Sequence, residues 1–166
     1  MTVNTDLATL WRNYPTPAEF THDQLFDELG WSDIKNNKAY ENTCAIRMSL
    51  CLIRSGIKIP GRLKIQKGAH KGKLIEPGQL QLSNSLIIPN LFGSPAKFIL
   101  ADCDKELSNK QGIVSFLSIP GYFIGGALSG HIDLVKHGTF LYFFDSLQCV
   151  EQCYWDAKEF WFWPLR

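Results

Sequence analysis

The stretch NTCAIRMSLCLIRSG, residues 42–56, decides the fold. Asn42 or Thr43 can cap a helix, because their side-chain oxygens accept from the unpaired N–H groups of its first turn. Apolar side chains then fill most positions from Ala45 to Ile53, and Gly56 supplies a stop. Only Arg47, Ser49 and Arg54 interrupt the run, so the pattern predicts a helix over 43–55 that is apolar nearly all round. A helix of that kind is buried and central.

Elements of a different type follow it. Ile57 to Asn90 is rich in Gly, Pro and Lys and reads as a long irregular stretch, with one further helix starting near Ser94 and Pro95. Residues 112–117, GIVSFL, have the β-branched and aromatic character of a strand. A glycine-rich connection, 120–130, leads to a second strand over 131–135. Lys136, His137 and Gly138 form a turn, and 139–144 a third strand. Before the helix lie an aromatic, proline-punctuated opening, 7–20, and a short helix over 23–29 ended by Gly30. The tail, 154–163, carries three of the five tryptophans and reads as packed rather than free. Helix first and antiparallel sheet second make an α+β fold. No repeat or linker divides the 166 residues, which suit one domain.

Charge removes one class of function. Seventeen Lys and Arg against 16 Asp and Glu leave +1, without the basic excess of a nucleic-acid binder. The densest basic stretch, Lys64, Lys67, His70, Lys71 and Lys73, is interleaved with Gly68 and Gly72 and reads as a solvated loop. No apolar run reaches the ~20 residues of a membrane span. The first 12 residues lack the basic and apolar regions of a signal peptide, so synthesis as a soluble cytoplasmic chain is expected.

Five cysteines cannot all pair within one chain. Cys51 and Cys103 sit among apolar neighbours as small core residues. Cys149 and Cys153 are four apart, a spacing that permits a local disulfide but supplies only half the ligands of a zinc site. Cys44 stands in the first turn of the central helix. Unpaired N–H groups and the helix dipole favour negative charge there, and such sites lower a cysteine pKa to about 3.5–7.5. The neighbouring N–H groups also suit an oxyanion hole.

A base must reach that sulfur. Of the four histidines, His22 lies in a polar helix start, His70 in the basic loop and His137 in a turn. His131 opens an apolar strand directly after the small-residue run 126–130, GALSG, which would let a substrate backbone approach closely. Cysteine on an early helix followed by histidine on a strand is the papain-type order. An acidic group usually orients the imidazole, and three are near. Asp133 shares the strand face with His131 but looks poorly placed to meet its ring. Asp145 ends the third strand, and Glu151 lies between Cys149 and Cys153.

Residues 42–49, NTCAIRMS, and 129–134, SGHIDL, resemble the nucleophile and base motifs of the type VI secretion amidase effectors, fourth subfamily. Trp11, Tyr14, Gly112, Gly121, Tyr122 and the C-terminal cysteine pair fit the likeness too. The resemblance implies a papain-like fold related to NlpC/P60 hydrolases, with a central N-terminal helix on an antiparallel sheet, in a single amidase domain over 1–166. It implies an antibacterial effector that needs no cofactor and no metal. The protein would leave its cell through the type VI machinery and act in a target cell's periplasm. There it would hydrolyse the γ-D-glutamyl–meso-diaminopimelate bond of peptidoglycan stem peptides, and a cognate immunity protein would block it. Cys44 takes the role of nucleophile, His131 of base and Glu151 of third member. Glu151 stands where the family usually has Asp, and 139–144 lengthen the segment before it, so Asp145 is the alternative third member. Two other functions fit the same residues: a non-catalytic binder of wall peptides or a protein partner, and a papain-like acyl or peptidyl transferase.

Overall fold

The computed structural model describes residues 3–137, the backbone of 139 and 140, and residues 154–166. Asp145, Cys149, Glu151 and Cys153, and most of the third expected strand, lie outside the described residues.

Local capping begins the chain's first helices. Asp6 accepts from the Thr9 N–H at 2.8 Å and starts α1 (Leu7–Asn13). Thr21 and Gln24 form a reciprocal capping box at the head of α2 (His22–Leu29), which Gly30 ends at φ +76°. The central helix α3 runs Cys44–Arg54. Thr43 is its N-cap but its side chain does not cap the helix; Asn42 does so instead, its Oδ1 accepting from the Cys44 N–H at 3.0 Å.

The region read as irregular contains structure. A two-stranded ribbon pairs β1 (Leu63–Lys64) with β2 (Leu74–Ile75), and its connecting loop holds the basic residues at the surface. Helix α4 (Gln79–Leu86) follows. The helix expected near Ser94 is instead strand β3 (Ala96–Phe98), with α5 (Cys103–Leu107) after it. Strand β4 (Gln111–Leu117) comes next. The glycine-rich connection is folded into a hairpin of β5 (Phe123–Ile124) and β6 (Ala127–Leu128), turned at Gly125 and Gly126, both at positive φ. Strands β7 (His131–Lys136), β8 (Thr139–Phe140) and β9 (Glu159–Pro164) complete the described elements.

The main sheet is antiparallel in the order β3-β9-β4-β7-β8. Alternation divides its two faces. Ile113, Ile132, Leu134, Trp161 and Trp163 pack with Leu7, Leu10, Met48 and Leu52. Val114, Phe116, Val135, Phe160 and Phe162 pack with Leu107 and Tyr154 on the other face. The far side of α3 buries Ile46, Leu50 and Ile53 against Leu25, Phe26 and Trp31 of the α2 region. With protein on both sides, Arg47 and Ser49, which interrupt the apolar run, are buried too, at 1% and 0% exposure. Arg47 donates to Thr43 Oγ1 and to the carbonyls of Pro15 and Phe20, at 2.9–3.0 Å. The antiparallel sheet beside a buried helix agrees with the α+β reading.

Candidate active site

Cys44 is the first residue of α3 and His131 the first of β7. The Cys44 sulfur neighbours the His131 ring and helps to raise its pKa. Asn42 ties their two elements together: it accepts from the Cys44 N–H, and its Nδ2 donates to the Gly130 carbonyl at 3.1 Å. One side chain thus links residues 88 positions apart. It also engages the Cys44 N–H, the nearest of the backbone donors expected to line an oxyanion hole.

His131 is 1% exposed and held on several sides. Tyr154 stacks on its ring, with centroids 4.4 Å apart and planes inclined by 15°. Phe116, its register partner on β4, lies 5.9 Å away. Asp133, expected to miss the ring, places Oδ2 3.5 Å from His131 Nε2. Residues two apart on a strand are separated by only ~6.7 Å, a gap that an imidazole and a carboxylate can span. The Asp133 Oδ1 accepts from the Leu134 N–H at 2.7 Å.

Burial opposes charge on the imidazole. The Asp133 carboxylate and the Cys44 sulfur outweigh it, and the His131 pKa is raised to about 9. The buried Tyr14 hydroxyl is held well above its ordinary range, by burial first and by the negative charges of Asp133 and Cys44 after it. Cys51 and Cys103 are the core thiols expected, pushed up to about 12 and about 11 chiefly by burial.

A groove of about 340 Å³ opens over Cys44, between Asn42, Gly78, Gln79, Leu128 and Ser129. Leu80, Phe123 and Leu128 leave apolar surface exposed around it. At Gly130 the smallness serves internal packing, since a Cβ would meet the Phe116 carbonyl and the Gln79 side chain. The approach of substrate backbone expected along residues 126–130 therefore does not apply at that position. A larger cavity, about 880 Å³ among Asp6, Trp11, Arg12, Lys136 and Arg166, contains neither Cys44 nor His131. Among the described residues, no cluster of three His, Cys, Asp or Glu could hold a metal, and no helix is long and apolar enough to cross a membrane.

The two residues paired from the sequence, Cys44 and His131, are neighbours in the structure. Tyr154 and Gln79, which carry no spacing signal, were passed over, and Asp133, whose signal was its shared strand face, was set aside.

The same fold occurs in solved type VI effectors. The Tae4 effector from Enterobacter cloacae aligns over 100% of both chains at 16% identity, with a TM-score of 0.70. The Tae4–Tai4 effector–immunity complex from Salmonella Typhimurium aligns over 99% of this chain and 100% of that one, at 17% identity and TM-score 0.69. The corresponding Enterobacter cloacae complex gives 16% identity and a TM-score of 0.67 over 99% and 100%. No curated protein sequence matches significantly. The sequence model for "Type VI secretion system (T6SS), amidase effector protein 4" matches residues 40–163, a span that holds both Cys44 and His131, and the chain belongs to that amidase effector family.

Proposed function

We propose that this amidase effector is a papain-like, NlpC/P60-related cysteine hydrolase acting through one domain, residues 1–166. Its substrate is the γ-D-glutamyl–meso-diaminopimelate bond of peptidoglycan stem peptides in the periplasm of a target bacterium. The observation that carries this reading is Cys44 lining a groove with the His131 ring as its neighbour, in a chain of the amidase family. The groove's volume falls within the range usual for small-molecule sites.

Cys44 is the nucleophile and His131 the base. The Cys44 sulfur attacks the γ-glutamyl carbonyl, giving a tetrahedral oxyanion. His131, carrying the proton, gives it to the diaminopimelate nitrogen as the C–N bond breaks and the thioester remains. A water deprotonated by His131 then hydrolyses the thioester, releasing the stem peptide that ends in D-glutamate, and the proton returns to the Cys44 sulfur. Binding of the oxyanion at Cys44 requires that Asn42 Oδ1 yield the Cys44 N–H. By family likeness the third member is Glu151, with Asp145 as the alternative. A Tai4-type immunity protein, the partner seen in the relatives' complexes, is the natural antagonist.

Digestion of purified diaminopimelate-type peptidoglycan, read by mass spectrometry, tests the reading. New stem peptides ending in D-glutamate are expected from the wild type and not from Cys44→Ala or His131→Ala. Ligated peptides would mean transfer in place of hydrolysis. Unchanged wall, or full cleavage by either variant, would overturn the assignment. Loss of rate in Glu151→Gln but not Asp145→Asn is expected for the third member.

A further inference from the structure

We infer that Asp133 is a positioning residue for catalysis: its carboxylate orients the His131 ring and stabilises the ring's protonated form. The inference rests on the Cys44–His131 reading and adds a group to it. Asp133 is wholly buried, at 0% exposure. An ionised carboxylate taken out of water is costly unless it is paired and hydrogen-bonded. Its two oxygens have different neighbours. Oδ1 is fixed by the Leu134 N–H at 2.7 Å, which sets the rotation of the side chain. Oδ2 then points to His131 Nε2 at 3.5 Å. That is longer than a good hydrogen bond, but catalytic contacts commonly tighten once substrate is bound.

The ring's other constraints suit the same role. Tyr154 stacks on it, so its plane is restricted, and Cys44 neighbours it from the head of α3. A ring with a thiol and a carboxylate about it holds its proton for the leaving amine, as the proposed mechanism requires. The surroundings supply few competing charges. Val114 and Phe116 of β4 lie opposite Asp133 and His131 and are uncharged. From α3 come Cys44 and, one turn on, Arg47, whose guanidinium is bound to Thr43 and to two carbonyls. The segment after α1 brings Tyr14, whose hydroxyl responds to the charge on Asp133. Helix α4 contributes Gln79, and Lys136 is exposed at the far end of β7.

A merely structural Asp133 would serve the Leu134 N–H and leave the titration of the ring untouched. The test is therefore a titration. His131 ring resonances are followed by NMR against pH in full-length Cys44→Ala and in Cys44→Ala/Asp133→Asn, and kcat/KM is followed against pH in wild type and Asp133→Asn. Removing an opposite charge at this range is expected to lower the His131 pKa by about 1–3 units. The alkaline limb of the kcat/KM profile should move down with it, and kcat/KM near neutrality should fall by roughly 10²–10⁴-fold. Folding of each variant is checked by circular dichroism. A folded Asp133→Asn protein with an unmoved His131 titration would sink the inference. Should that variant fail to fold, Cys44→Ala/Asp145→Asn/Glu151→Gln decides: with those two carboxylates removed, a ring protonated well above the ordinary value of ~6.5 supports the role, and one titrating at that value overturns it. The NMR reading needs no substrate, so it stands apart from any failure to find cleavage.

Discussion

At the scale of single residues, the chemistry depends on how burial and pairing compete around His131. Its pKa of about 9 in the folded protein lies above the ordinary histidine value, so the proton it holds is linked to folding. The sign follows directly. The stabilisation is complete below ~6.5, where the unfolded chain also binds the proton, and is lost as pH rises toward 9. Urea unfolding at pH 6, 7.5 and 9 should show wild type losing stability across that window, and His131→Gln lacking that component. A wild type whose stability is flat from pH 6 to 9 would contradict the shift. Asn42 makes a second residue-scale case. Its replacement by Ala removes the partners of a buried N–H and a buried carbonyl, at about 1–3 kcal/mol. Thermal melts of Asn42→Ala should fall by about 3–10 °C. Asp133 shows why its place was not visible in sequence. Alternation gives a shared face, but contact between side chains two apart depends on rotamers, and those are set here by the Leu134 N–H.

At the scale of elements, α3 was legible because an apolar run, a cap and a glycine stop all agree. Helix α4 was not. Gln79, Gln81, Ser83, Asn84 and Ser85 dilute its apolar pattern, and Gly78 at its N-cap makes no side-chain bond. Tertiary contacts make it a helix: Leu82 and Leu86 are buried against α3 and the sheet, while Gln79 and Ser83 bond to Ser115 of β4. Strand β3 spans only three residues, too short to show a period, and is fixed by its pairing with β9. Arg47 interrupts the apolar run of α3 and is buried with it. Its guanidinium joins α3 to the carbonyls of Pro15 and Phe20, so it fastens the N-terminal segment to the helix that carries Cys44. Arg47→Ala should strand those carbonyls and leave a void, for a loss of about 2–4 kcal/mol. The melting temperature should drop by roughly 5–15 °C. A variant melting within a degree of wild type would show that the guanidinium contributes nothing net.

At the scale of the whole molecule, the last strand in sequence occupies the interior of the main sheet. β9 lies between β3 and β4, and pairs with β4 from Gly112↔Pro164 to Leu117↔Glu159. Gly112 permits that close pairing, because a Cβ there would strike the Trp163 carbonyl. Phe160 and Phe162 fill one face of the sheet and Trp161 and Trp163 the other. At about 1.5–3 kcal/mol for each large apolar side chain, four of them contribute roughly 6–12 kcal/mol. That is comparable with the entire stability of a typical domain, about 5–15 kcal/mol. Strand β9 is thus a condition for the site at the start of β7, and Tyr154, just before it in the chain, stacks on the His131 ring. A chain ending at Lys158 should lose its cooperative thermal transition and cleave no peptidoglycan. A chain ending at Pro164 keeps β9 and gives up the Leu165 N–H bond to Gln111, the Leu7 N–H bond to Arg166, the Arg166 bond to Asn4 Oδ1 and the packing of Leu165. It should fold and retain cleavage, with a modestly lower melting temperature. If the shorter chain unfolded cooperatively near the wild-type temperature, β9 would be an accessory to the sheet and not its centre.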